Sequence, residues 1–202
     1  MPKYPVVSSR EELEIVLTDL RKVMNLSVRL PDFPFLSEVG TDSFCQDHQI
    51  TAFEPILEAL ALQYQDSFVS GARIDPHYQL DDADMRGTFS AFHIPPSQIA
   101  NQYQSVMTYE WDDNPAEAMA NYWNVLCMAG SSGSWAIWAE RMMGIVIVRT
   151  IGSDVSWRND SDWFLPAREA VSVFIGQEFY RTGVPEDLRQ NFLRNVRPIG
   201  DS

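Results

Sequence analysis

No stretch of the 202 residues approaches the roughly 20 consecutive apolar positions that a membrane-crossing helix needs. The opening residues, MPKYPVVSSREELEIVL, lack the basic, apolar and small-residue succession of a secretory signal, so a cytoplasmic chain is expected. Cysteine is scarce too. Cys45 and Cys127 are too few and too far apart for a disulfide framework, in keeping with a reducing compartment. Positive charge is the third shortage: 15 Lys and Arg face 28 Asp and Glu, for a net charge of −13. Charge of that sign repels nucleic-acid phosphates and anionic membrane surfaces, which removes both as expected partners. Neither a Walker loop nor a Gly-x-Gly-x-x-Gly turn occurs, so nothing calls for a nucleotide, and no cofactor is expected.

What the chain does contain is apolar mass, 45% of residues with 12% aromatic, enough for one well-buried domain spanning residues 1–202. The acid is concentrated. Residues 31–117 carry fifteen Asp or Glu against Arg73 and Arg86, while the flanking parts are nearly neutral. The densest pieces are DPHYQLDDAD (75–84) and YEWDDNPAE (109–117), with Tyr78, Phe89, Tyr103, Tyr109 and Trp111 interleaved. Acids among aromatics are how a surface for a basic protein is built, charge giving fast encounter and rings slow release. Asp75, Asp81, Asp82, Asp84, Trp111, Asp112 and Asp113 are the candidate partner-binding residues. The competing reading of the same acids is a solvated face that keeps the chain in solution.

Periodicity predicts an α+β fold, a central and mostly antiparallel sheet with packed helices. Ser9-Arg10-Glu11-Glu12 has capping-box spacing ahead of Leu13, Val16, Leu17, Leu20 and Met24, a helix over about 10–24. LSVRL (26–30) reads as a short strand, and 31–48 as a long connection broken by two prolines. A helix is expected over 53–65, with strands in DSFVSGARI (66–74) and GTFSAFHI (87–94). Helices follow over 96–107, and over 114–130 with Asn114 as cap and Pro115 in the first turn. Trp135 to Glu140, a Met-Met-Gly turn, and Ile145 to Val148 predict a hairpin whose second strand lies mid-sheet. Further helices are expected over 166–179 and 184–196.

Motifs that could carry chemistry fail on inspection. GSSGS (130–134) approaches the nucleophile elbow with Ser132 as nucleophile, but its last position is Ser134, and it is read between a helix and a strand, the reverse of the required order. Cys45-x-x-His48, with Asp42 and Asp47 nearby, has no second pair at ligand spacing, so no metal is expected there, only a buried Cys45 and a surface His48. Asp82-x-Asp84-x-Arg86-Gly87 starts like a calcium loop, yet Arg86 and His93 stand where ligands belong; a loose site at Asp75, Asp81, Asp82 and Asp84 stays open. Trp123, Trp135, Trp138, Trp157 and Trp163 read as core. No residue is assigned a catalytic role.

At SGSWAIWAERMMGIVIV the chain resembles a hairpin found in immunity-type proteins of bacterial polymorphic and contact-dependent toxin systems. There a strand with spaced tryptophans and an acid–arginine pair, here Trp135, Trp138, Glu140 and Arg141, leads into an aliphatic strand. The resemblance implies a protein that binds and neutralises a cognate toxin, and it carries over no catalytic residue. The alternatives are a small hydrolase-type enzyme with carboxylates and a histidine in a Trp-lined cleft, or a non-catalytic adaptor with an exposed apolar patch.

Overall fold

The computed structural model describes residues 6–36, 40–75, 88–109, 118–159 and 161–196. Its centre is a six-stranded antiparallel sheet in the order β1-β6-β5-β4-β2-β3. The strands are β1 (Thr41–Gln46), β2 (Val69–Asp75), β3 (Ala91–Ile94), β4 (Val125–Gly130), β5 (Trp135–Glu140) and β6 (Ile145–Thr150). Helices cover both faces, so the domain is α+β with three layers. On one face Leu13, Val16 and Leu20 of α1 (Arg10–Val23) meet Cys127, Trp138 and Ile147. The same layer holds α4 (167–178) and α5 (Glu186–Asn195). Helix α4 joins α-helical Ala167–Ala170, π-helical Val171–Ile175 and α-helical Gly176–Glu178. On the other face α2 (Glu54–Gln63) and α3 (Ile99–Met107) place Ile56, Leu60, Ile99 and Val106 on Leu126, Met128, Ile137 and Val148. Each fully buried aliphatic side chain of this kind contributes roughly 1.5–3 kcal/mol.

Local chemistry accounts for the elements read correctly. The α1 capping box forms: Ser9 Oγ accepts Glu12 N at 3.1 Å, and the Glu12 carboxylate reaches back to Ser8 N at 2.9 Å. Pro55 sits in the first turn of α2, where a missing N–H costs nothing. The β5–β6 hairpin forms as its alternation implies, and β6 is buried at all six positions between β1 and β5.

Three expectations are overturned. Residues 125–130 are not helical but form β4, buried throughout between β2 and β5. Val125, Cys127 and Ala129 face one helical layer, and Leu126 and Met128 the other. A strand covered on both sides has no polar beat, so its sequence looks like a helix-forming run. LSVRL is a turn: the Asn25 side chain accepts Ser27 N at 3.0 Å, and Arg29 Nη1 donates to the Val28 and Leu26 carbonyls. Within the supposed connection 31–48 lies β1, the edge strand beside β6. Its Thr41 and Ser43 are buried and concealed the pattern, because their hydroxyls are paired with Gly152 O and with Arg158.

Candidate functional site

Strand register defines two ends of the sheet. Asp75 pairs with Val125, Val125 with Glu140, Glu140 with Ile145, and Ile145 with Gln46, which together make one end. Val69, Ile94, Gly130, Trp135, Thr150 and Thr41 make the other.

At the first end the chain leaves β2 after Asp75 and returns beside it, Arg73 N bonding Ser90 O at 2.9 Å. It also leaves α3 after Tyr109 and returns beside it, Ala120 N bonding Met107 O at 2.8 Å and Asn124 N bonding Asp75 O at 2.8 Å. The described anchors of both acid-rich stretches therefore lie at this one end. Of the predicted partner-binding residues, the structure places Asp75 here, its carboxylate one-third exposed and 3.6 Å from Arg29 Nε. Asp81, Asp82, Asp84, Trp111, Asp112 and Asp113 lie outside the described residues, as does the loose calcium site except for Asp75.

Three arginines brace this end by holding backbone. Arg29 caps the carbonyls of the turn before it and stands 5.9 Å over the Trp138 ring. Arg73 Nη1 donates to Tyr122 O at 3.1 Å. Arg141 donates to Ala120 O and Asn121 O and stacks 4.5 Å over Trp123, with Asp47 at 4.0 Å. Behind them Glu140 is buried, accepting Leu30 N at 3.1 Å and Trp138 Nε1 at 3.0 Å. Burial raises its carboxyl above the ordinary range despite those bonds and Arg29. Trp138, Glu140 and Arg141, three of the four residues that carry the resemblance, thus hold this end together from within.

The opposite end treats its acids differently. Asp66 is buried under the β4–β5 turn, accepting Ser132 N at 2.6 Å, Ser131 Oγ at 3.3 Å and Trp135 Nε1 at 2.6 Å. Gly130 makes that grip fit: a Cβ there would stand 2.2 Å from Asp66 Oδ2 and 2.4 Å from the indole nitrogen. GSSGS is therefore a strand-to-strand turn, with β4 before it where a helix was expected, and Ser132 has no elbow. Asp42 faces Arg149 across β1 and β6 at 3.3 Å, both side chains nearly enclosed. Desolvation outweighs the guanidinium and pushes Asp42 up to about 6.

The signals for these acids were uneven. Trp138 and Glu140, two apart on one strand, share a face and were readable as a pair. Asp42 with Arg149, and Asp66 with Trp135, are joined only by tertiary structure. Two of the supposed interface aromatics also move inward: Phe89 is core, and Tyr103 is fully buried with its hydroxyl on Ile50 O.

Tryptophans and histidines on which the enzyme alternative would draw can be located among the described residues. Trp123, Trp135, Trp138 and Trp157 are packed in the core. An open cleft beside Val23, Phe35, Trp135, Ala136 and Arg149 has no histidine or carboxylate in its described lining. His93 does meet a serine and an acid, but in the wrong order. Ser70 Oγ donates to Asp19 Oδ2 at 3.1 Å, so His93 Nδ1, 3.0 Å away, must donate to Ser70. A hydrolase needs the imidazole to accept the serine proton, and here Ser70 is wholly buried. Cys45 is buried, its thiol pushed up by desolvation, and His48 stands exposed against Gln49.

Comparison with protein-family models, with curated proteins and with solved structures finds no match.

Proposed function

We propose that the protein binds and neutralises a basic protein partner through the end of the sheet that carries Asp75, in the manner of an immunity protein acting on a toxin. The supporting observation is topological: the described residues on either side of 76–87 and of 110–117, Arg73 with Ser90 and Met107 with Ala120, meet at that one end, where Asn124 N also bonds Asp75 O. These stretches carry Asp81, Asp82, Asp84, Glu110, Asp112, Asp113 and Glu117 against Arg86. Acids held beside those anchors would make a field that steers a cation-rich surface, raising the association rate most at low salt. A reading of the acids as an evenly solvating coat predicts no such focus.

The test is co-purification with the product of the adjacent gene, followed by stopped-flow association. Lysine at Asp81, Asp82 and Asp84 together is expected to slow association about tenfold or more and to flatten its salt dependence. An unchanged rate, or a complex indifferent to salt, would overturn the proposal.

A further inference from the structure

The face of the sheet under α2 and α3 carries a cation that has no counter-charge among the described residues. Arg158 ends a short 3-10 turn (Ser156–Arg158) and is half-buried. One of its Nη atoms donates to the hydroxyl of Ser43, itself buried on β1. Its guanidinium carbon lies 5.6 Å from the ring centres of both Trp157 and Phe164, which meet edge to face at 5.3 Å. Among the described residues no carboxylate reaches ion-pair distance of it, although the chain has nearly twice as many acids as bases. Arg158 Nε is enclosed and has no acceptor. Trp157 Nε1, in the ring beside it, is likewise enclosed and without one.

Such an arrangement is incomplete as a structural device. Aromatic faces attract the guanidinium but supply no lone pairs, and a desolvated charge left without acceptors is destabilising. Other buried charges of this protein are met: Arg149 by Asp42, Asp19 by Lys22 and Ser70, Asp66 by the turn it holds. Arg149 Nε also lacks an acceptor, but Arg149 has the Asp42 carboxylate beside it; among the described residues Arg158 has neither.

We propose that Arg158 is the centre of a carboxylate-binding site, with Trp157 and Phe164 as its walls and Ser43 fixing the guanidinium plane. A single planar cation bearing a free Nε–H matches one carboxylate, which takes two parallel N–H bonds. A phosphate dianion calls for more positive charge than one arginine supplies. The site is separate from the acidic end, since Ser43 pairs with Val148 in the middle of β1, and it stands whether or not the acids bind a partner.

The test is a titration of the intact protein, following the Trp157 indole N–H by NMR. Acetate and benzoate probe a free small acid, a terminally blocked glutamate peptide probes a protein-borne carboxylate, and inorganic phosphate is the contrast. Saturable shifts with either carboxylate support the site, and whichever saturates identifies the source. Arg158→Gln is expected to weaken binding about ten- to hundredfold, the loss of a charge-assisted pair. Should that variant not fold, Arg158→Lys, which keeps the charge but loses the fork, is expected to weaken binding by a smaller factor. Ser43→Ala leaves the guanidinium present and retains saturation. Absence of saturation in the wild-type protein, equal shifts in Arg158→Gln or Arg158→Lys, or saturation by phosphate alone would overturn the proposal.

Discussion

The two ends of the sheet use the same residue type for opposite purposes. At the Gly130 end, carboxylates are construction: Asp66 grips a turn and an indole, and Asp42 is sealed against Arg149. At the Asp75 end, Asp75 is partly exposed, and the described residues that flank the acid-rich stretches are held by backbone bonds and by arginines. The contrast teaches that a count of charge along a sequence is no map of surface charge. Asp42 and Asp66 both belong to the acidic middle of the chain, yet neither contributes to an outward field in the way Asp75 does.

Substitutions can break or sharpen that contrast. Asp66→Ala would leave the Trp135 indole and Ser132 N–H without partners inside the fold and is expected to cost about 3 kcal/mol by chemical denaturation. Gly130→Ala should reproduce much of that loss with the carboxylate still present, because the new methyl displaces it. Of similar size, but dependent on pH, is the Asp42 contribution. Its carboxyl is raised from 3.8 to about 6, so the folded state holds a proton that the unfolded state has released. That term favours folding below about pH 4 and is lost as pH rises to about 6, amounting to about 3 kcal/mol. Unfolding measured at pH 4, 5 and 6 in wild type and Asp42→Asn should show this component only in the wild type. An identical slope in the two would refute it.

At the other end, the effects on stability shrink. Glu140→Gln keeps an acceptor for Leu30 N and Trp138 Nε1 and removes a charge that burial disfavours, so a change under about 1 kcal/mol is expected at neutral pH. Lysine at Asp81, Asp82 and Asp84 should alter stability least, within about 0.5 kcal/mol per residue, while changing association most. If those lysines destabilised the fold as Asp66→Ala does, the division between structural and steering acids would fail.

Legibility in the sequence followed burial. The α1 cap, α2 with Pro55, α3, and the β5–β6 hairpin were readable because each keeps a local rule, a capping box, a first-turn proline or an alternation. Strand β4 was not, because both its faces are covered and Leu, Cys, Met and Ala carry no strand signature. Strand β1 was hidden by hydroxyl and acid side chains whose partners, Gly152, Arg158 and Arg149, come from distant chain. Of the candidate binding residues, Asp75 alone lies among the described residues. The separation of inward from outward acids had no local signal at all, since Asp66 and Asp75 differ only in what folds over them.

The strand order also governs when the domain can exist. Edge strand β1 lies against β6, roughly one hundred residues later in the chain, and β2 is joined to β6 only through β4 and β5. A ribosome that has released α1, α2 and the first three strands has therefore released apolar surfaces without their partners, because the core of the sheet is still to be made. Folding must wait for the β4–β5–β6 meander and then close many long loops at once, which makes it slow and leaves the nascent chain open to aggregation. In that interval the acids of the middle segment are already present, and their mutual repulsion keeps unfinished chains apart.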